Sequence, residues 1–339
     1  MKKKAMLYEK LESNRVHCFL CSHHCKINPS QFGVCGVRQN IDGVLYTYAY
    51  GELISHHVNP IEKKPFYHFL PGTGSYSIAT VGCNFRCGFC QNWEISQTSY
   101  KNGASFGEKM SPEEIVREAK RTKCESISYT FTEPTIFFEY AYETARLAKS
   151  EGLYNNFVTN EYMTREALEI LHPYLDACNV DLKSFSEDFY RRICKAHLEP
   201  VLNSIKIMRE LNIWVEVTTL VIPGENDSDE ELRSIAQFIA SVDKGIPWHI
   251  SRFHPDYQFT KHQPTHMKTL EKAMQFGKSC RLRYVYLGNI FGYSDTYCYN
   301  CNALLIKRSY MGAEEINLKN GHCPKCEVEI EGIWKKIFL

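Results

Sequence analysis

The 339 residues, 44% of them hydrophobic and 23% charged, fall in the globular range and exclude a fibrous or disordered chain. Lysine and arginine number 40 against 39 acidic residues, and a net charge of +1 leaves no electrostatic footprint for nucleic acid or an anionic membrane surface. The basic start Met1-Lys2-Lys3-Lys4 leads into no apolar run of signal-peptide length, and no stretch approaches membrane-spanning length, so a cytoplasmic protein without a membrane partner is expected.

In a reducing compartment the 15 cysteines imply metal or redox chemistry rather than disulfides. Eleven lie in three clusters, while Cys124, Cys178, Cys194 and Cys280 stand alone and read as small core residues. The first cluster is Cys18, Cys21, Cys25 and Cys35. Four thiolates close either a tetrahedral zinc site or a cubane iron–sulfur cluster, and spacing does not choose between them. Zinc is the simpler expectation, because a second cluster implies a relay or substrate-ligating task that nothing else in the sequence demands. A tyrosine-rich stretch from Leu45 to Tyr50 reads as a strand. The turn formers Pro71-Gly72-Thr73-Gly74 then close a first unit, a Cys-rich metal-binding segment over residues 1–74.

From Ser75 onward short β-rich runs alternate with stretches of helical period, the pattern of parallel strands joined by crossover helices. Strands are expected at Ser75–Val81, Ser126–Phe131, Asn155–Thr159, Ala177–Leu182, Trp214–Val221, Trp248–Phe253 and Leu282–Leu287. One helix begins at Ser111-Pro112-Glu113-Glu114, with an N-cap serine, proline at the first helical position and Glu114 placed to close a capping box. Another, near Asp227–Val242, opens on acidic residues and carries Leu232, Ile235, Ala236 and Ile239 on one face.

The second cluster, Cys83-Asn84-Phe85-Arg86-Cys87-Gly88-Phe89-Cys90, directly follows an expected strand, so its thiols sit at the carboxyl end, where parallel α/β folds carry function. Three cysteines at this spacing can hold three irons of a cubane cluster and leave the fourth iron open to a substrate. Here the sequence resembles the radical S-adenosylmethionine (SAM) superfamily, in the branch related to pyruvate formate-lyase activating enzyme. The aromatic Phe89 fits that pattern as a cofactor-side residue. The resemblance implies an α/β fold: a partial (β/α)6 TIM-like barrel over residues 75–296, between the N-terminal Cys-rich segment and a C-terminal zinc ribbon.

Further matches follow in chain order. Thr130-Phe131-Thr132-Glu133-Pro134 lies where the superfamily has Gly-Gly-Glu, which implies that Thr132 and Glu133 hold the SAM amino group. A buried carboxylate there needs a cationic partner, which an α-ammonium supplies. Val158-Thr159-Asn160 resembles the Thr-Asn of the third strand and assigns Asn160 to SAM. Asn179-Val180-Asp181-Leu182-Lys183 resembles the fourth-strand Asp-x-Lys, which places Asp181 and Lys183 beside the SAM carboxylate and ribose. Val158 stands where some activating enzymes carry an aspartate for a monovalent cation. His254, in Ser251-Arg252-Phe253-His254-Pro255, occupies the place of a SAM-side histidine.

The third cluster, Cys298-Tyr299-Asn300-Cys301 with Cys323-Pro324-Lys325-Cys326, forms two knuckles that present four thiolates to one structural Zn²⁺. The unit, residues 297–339, is too short to bury its own core and needs the metal to fold. The phrases Phe32-Gly33-Val34-Cys35-Gly36-Val37-Arg38 and Ser251-Arg252-Phe253-His254-Pro255 are similar to the AmmeMemoRadiSam subgroup, which implies AMMECR1-like and Memo-like partners. The resemblance as a whole implies a [4Fe-4S] cluster that takes an electron from a ferredoxin or flavodoxin-like donor. SAM is then cleaved to a 5′-deoxyadenosyl radical that abstracts hydrogen from a small molecule or macromolecule. Activation of a glycyl radical enzyme is the alternative, against which the first cysteine quartet precedes the radical motif instead of following it.

Overall fold

The computed structural model describes residues 2–100, 106–290, 292, 294–309 and 312–335. Its centre is an eight-stranded sheet of β1 (Ser55–Pro60), β2 (Gly74–Ala79), β3 (Ser126–Tyr129), β4 (Tyr154–Thr159), β5 (Ala177–Asp181), β6 (Trp214–Val221), β7 (Trp248–Arg252) and β8 (Val285–Gly288). Strands β2 to β8 run parallel in chain order, while β1 pairs antiparallel with β2 from Ser55–Ala79 to Pro60–Gly74. The seven parallel strands match the seven expected, and β6 matches to the residue. Strand β1 carries no alternating apolar pattern and ends in proline, which suits an edge position. The boundary expected after residue 74 falls one residue inside β2, which is hydrogen-bonded to β1.

Helices α1 (Pro112–Arg121), α2 (Phe138–Ser150), α3 (Arg165–Leu171), α4 (Leu198–Glu210), α5 (Asp229–Val242) and α6 (Met267–Ser279) make the crossovers. The capping box of α1 is present: Glu114 N donates to Ser111 Oγ (3.3 Å) and Ser111 N to the Glu114 carboxylate (2.7 Å). In α5, Leu232, Ile235, Ala236 and Ile239 are all buried, as their spacing requires. With both sheet faces covered, β3 is buried throughout and β6 almost so. No helix among the described residues is long and apolar enough to cross a membrane.

Residues 61–70 run beneath the amino ends of the strands. Phe66, Phe69 and Leu70 pack with Ala177 and Trp214, the first residues of β5 and β6. The buried Glu216 carboxylate binds this segment by accepting from Tyr67 N (2.9 Å) and His68 N (2.8 Å). His249 also hydrogen-bonds Glu216 (2.6 Å), so it is a satisfied core residue.

The C-terminal unit docks under this same end. Tyr284 and Tyr286 of the barrel share a core with Cys298, Leu305, Ile306, Cys323 and Ile330. The buried Arg308 donates to the Tyr67 carbonyl (2.6 Å), and Leu70 N and Ile333 N bond the carbonyls of Ile333 and His68 (2.7 Å each). The N-terminal segment is likewise continuous with the barrel core through Val16, Leu20, Val37 and Leu45. Its tyrosine-rich strand spans Val44–Thr47.

Candidate active site

The loop after β2 carries the three central cysteines into a cleft of about 360 Å³ at the carboxyl ends of the strands. Cys83, Cys87, Phe89 and Cys90 line one wall. Thr132, Glu133 and Asn160, from the ends of β3 and β4, line the next, and Asp181 and Lys183 from the end of β5 complete it. Nine residues scattered over a hundred positions of sequence thus meet at one place.

Each is held by identifiable contacts. Phe85 N donates to Cys83 Sγ (3.3 Å), and Cys90 Sγ lies 3.2 Å from Ser96 Oγ. Burial, followed by the nearby Glu133 carboxylate, pushes the Cys83 thiol well up. A cation bound by the loop reverses that effect, since a coordinated thiol is deprotonated outright. Thr132 Oγ1 donates to the Thr80 carbonyl (2.8 Å). Glu133 Oε1 accepts from Thr135 N (2.9 Å), Thr135 Oγ1 (2.6 Å) and Thr159 Oγ1 (2.8 Å), whereas Oε2 accepts only from Asn160 N (2.8 Å). Glu133 therefore caps the following turn and still has acceptor capacity facing the cleft. Burial raises its pKa against these donors.

Phe131 takes φ of 64°, a left-handed conformation that a non-glycine residue adopts at a cost of about 1–2 kcal/mol. The sequence replaces the superfamily's glycines with Thr-Phe-Thr, and the backbone keeps a glycine-like bend nonetheless. Lys183 Nζ lies 3.0 Å from Asp181 Oδ2 and 5.7 Å from the Phe89 ring. Burial opposes the lysine's charge, yet Asp181 holds its pKa well above the usual value. Asn160 Nδ2 donates to Asn84 Oδ1 (2.8 Å) and lies 3.7 Å from Cys83 Sγ. Asn160 Oδ1 and Asn84 Nδ2 are buried without partners. An unpaired acceptor and donor beside three convergent thiols fit a bound polar ligand, and the charged pair at β5 fits one with both carboxylate and hydroxyl groups.

His254 is exposed and does not itself line the cleft, but it accepts from the amide of Gln91, which does (2.9 Å). The chain turns outward after the buried Phe253 and carries the next side chain to solvent.

Two residues join the site without a signal in the sequence. Cys194 is buried in the short turn Tyr190–Cys194, where its thiol, followed by burial, pushes the Cys87 thiol well up. Cys124 and Cys178 are buried as expected of lone cysteines, and Cys280 is half-buried. Lys64 is 3% exposed and lines the cleft from the segment beneath the sheet, with Nζ 4.0 Å from the Phe131 ring centre. No carboxylate among the described residues pairs with it. Burial, then the neighbouring Lys63, pushes its pKa down to about 7.

The C-terminal quartet forms a compact group, with the four sulfurs within 4.8 Å of one another. The Cys298–Cys326 and Cys301–Cys323 pairs are each 3.6 Å apart. The Asn300 side chain, then the Val328 N–H, pushes the Cys326 thiol down.

Comparisons with known proteins agree with this geometry. The family model described as the radical SAM superfamily matches residues 77–238. An uncharacterized protein of Methanocaldococcus jannaschii is 45% identical over 334 residues, covering 97% of this chain and 99% of its own. The pyruvate formate-lyase 1-activating enzyme of Escherichia coli K12 is 21% identical over 205 residues, 57% of this chain and 83% of that enzyme. In fold, the chain is similar to Streptococcus suis SuiB bound to precursor peptide SuiA, with a TM-score of 0.51 and 13% identity over 68% of this chain and 52% of that one.

Proposed function

The chain belongs to the radical SAM superfamily, and from that premise we propose that Cys83, Cys87 and Cys90 hold a [4Fe-4S] cluster at which SAM is cleaved reductively to act on a substrate. The observation that carries this reading is the convergence of the three thiols with Glu133, Asn160, Asp181 and Lys183 on one cleft. When bound, cluster and SAM supply one-electron cleavage to methionine and a 5′-deoxyadenosyl radical, the electron coming from a ferredoxin or flavodoxin-like donor. The chain's own task is binding and orientation. Glu133 Oε2 would accept from the SAM ammonium, Asn160 would offer its free Oδ1, and Lys183 with Asp181 would hold the carboxylate and ribose. Phe89 packs against Phe189 and Phe259, excluding water behind the loop. Anaerobic reconstitution, then dithionite and SAM, tests the reading: 5′-deoxyadenosine is the expected product, and its absence from a cluster-loaded sample refutes it.

Activation of a glycyl radical enzyme remains the second reading, favoured by the similarity to the Escherichia coli activating enzyme. The C-terminal quartet is assigned a structural Zn²⁺, because a closed four-thiolate site leaves no coordination position for catalysis.

Lys64 bears on the substrate. An ammonium buried without an acidic partner is an anchor for an anionic group, such as a carboxylate or phosphate. Its pKa of about 7 lies below the roughly 10.4 of an unfolded lysine. Between those values the unfolded chain binds the extra proton, so stability rises with pH, and at or below pH 7 the cost of burying the charge is at its greatest. Lys64→Met should therefore stabilise the protein at pH 7 by roughly 1–4 kcal/mol, an advantage that shrinks toward pH 10. Denaturant melts at the two pH values measure this, and a variant less stable than wild type at pH 7 would show that Lys64 is paired.

A further inference from the structure

The N-terminal cysteines differ from the C-terminal ones in how their sulfurs are spread. In a four-thiolate zinc site each sulfur lies about 2.3 Å from the metal, which sets neighbouring sulfurs about 3.8 Å apart, in mutual contact. Cys298, Cys301, Cys323 and Cys326 have that compactness. Among the described residues, no three of Cys18, Cys21, Cys25 and Cys35 bring their sulfurs within 4.8 Å of one another, and the central triad does not either. Thiolates around a cubane stand further apart because each holds a different iron.

All four N-terminal cysteines nevertheless line a single cavity of about 20 Å³. That space admits a water-sized sphere, whereas four sulfurs touching around zinc enclose no such void. Arg38 lines the cavity too and is 1% exposed. Its Nη2 donates to both Glu139 oxygens (2.6 and 2.7 Å) and Nη1 lies 3.7 Å from Cys18 Sγ, but Nε is buried without a partner. A buried N–H left unpaired is costly, and an acceptor held by the four cysteines would relieve that cost.

The cavity also abuts the central loop. Arg86 Nη2 donates to the Val34 carbonyl (2.6 Å), and the His23 ring bonds the Asn84 carbonyl (2.8 Å). Gly82, beside Cys83, has φ of 103°, and a Cβ there would stand 2.8 Å from Val37 Cγ1 and 3.5 Å from the Cys35 carbonyl. The two cysteine loops are therefore in direct contact.

We propose that Cys18, Cys21, Cys25 and Cys35 hold a second [4Fe-4S] cluster, closed by four thiolates, against the loop of the central one. Such a group has no open iron for substrate, and its chemistry is the exchange of single electrons. The proposal takes from the function above only the occupancy of the central loop.

The test is metal and sulfide analysis with Mössbauer spectroscopy on the full-length chain, reconstituted anaerobically with ⁵⁷Fe and supplied with zinc. Wild type should carry about eight irons and about one zinc, and the triple variant Cys83→Ala, Cys87→Ala, Cys90→Ala should keep about four irons with a cubane spectrum. Cys18→Ala with Cys25→Ala should lose about four irons while the Cys83 loop keeps its own. Wild type with about four irons and two zincs would overturn the proposal, as would a folded triple variant without iron. Failure of the functional reading looks different: about eight irons would be present and no 5′-deoxyadenosine would form.

Discussion

Alanine at any one of Cys83, Cys87 or Cys90 should lower 5′-deoxyadenosine formation to background, a fall on the order of 1,000-fold. The reason is geometric. Each thiol reaches the cleft from its own position on the loop, whereas Cys194, buried in its own turn, does not line the cleft and offers no substitute there. The remaining fold should be undisturbed, because the loop is also fixed by contacts that these substitutions leave in place, including Arg86 Nη1 to the Cys83 carbonyl (2.6 Å) and Arg86 N to the Cys194 carbonyl (2.9 Å). Circular dichroism should therefore match wild type while product is lost. Wild-type product from any of the three variants would remove the assignment.

Loss of the C-terminal metal should have the second large effect, on stability instead of chemistry. Cys301→Ser with Cys326→Ser should eliminate bound zinc and lower the melting temperature by on the order of 10 °C, since binding energy at a structural zinc site is folding energy. A chain ending before Tyr297 keeps its cluster only if the barrel still folds. The contacts between the unit and the barrel argue that it does not. Removing the unit uncovers Tyr284 and Tyr286 and leaves the His68 and Tyr67 carbonyls without Ile333 N and Arg308. The truncated chain should aggregate or melt far below wild type. A truncated monomer with an unchanged melting point would show that the ribbon is an independent appendage.

Much of the site was legible in the sequence because it rests on local order. The seven parallel strands declare themselves as apolar β-rich runs, and the residues at their carboxyl ends inherit a common address at the mouth of the sheet. Asp181 and Lys183, two apart, fall on one face for the same reason. The start of α1 is written in Ser111, Pro112 and Glu114, whose hydrogen bonds span three residues.

Features whose partners are distant in the chain required the tertiary structure. Strand β1 is a polar edge made a strand by pairing with β2, and its own residues carry no period to announce it. Lys64 enters the cleft because Phe66 and Phe69 anchor residues 61–70 under β5 and β6, a packing that no local pattern encodes. Cys194 meets Cys87, and His254 turns to solvent, for equally non-local reasons. The cysteine quartets show the division most directly. Spacing along the chain identifies four thiols as ligands, but the distance between their sulfurs depends on how separate backbone segments pack. One quartet is drawn into contact and the other is held open around a cavity.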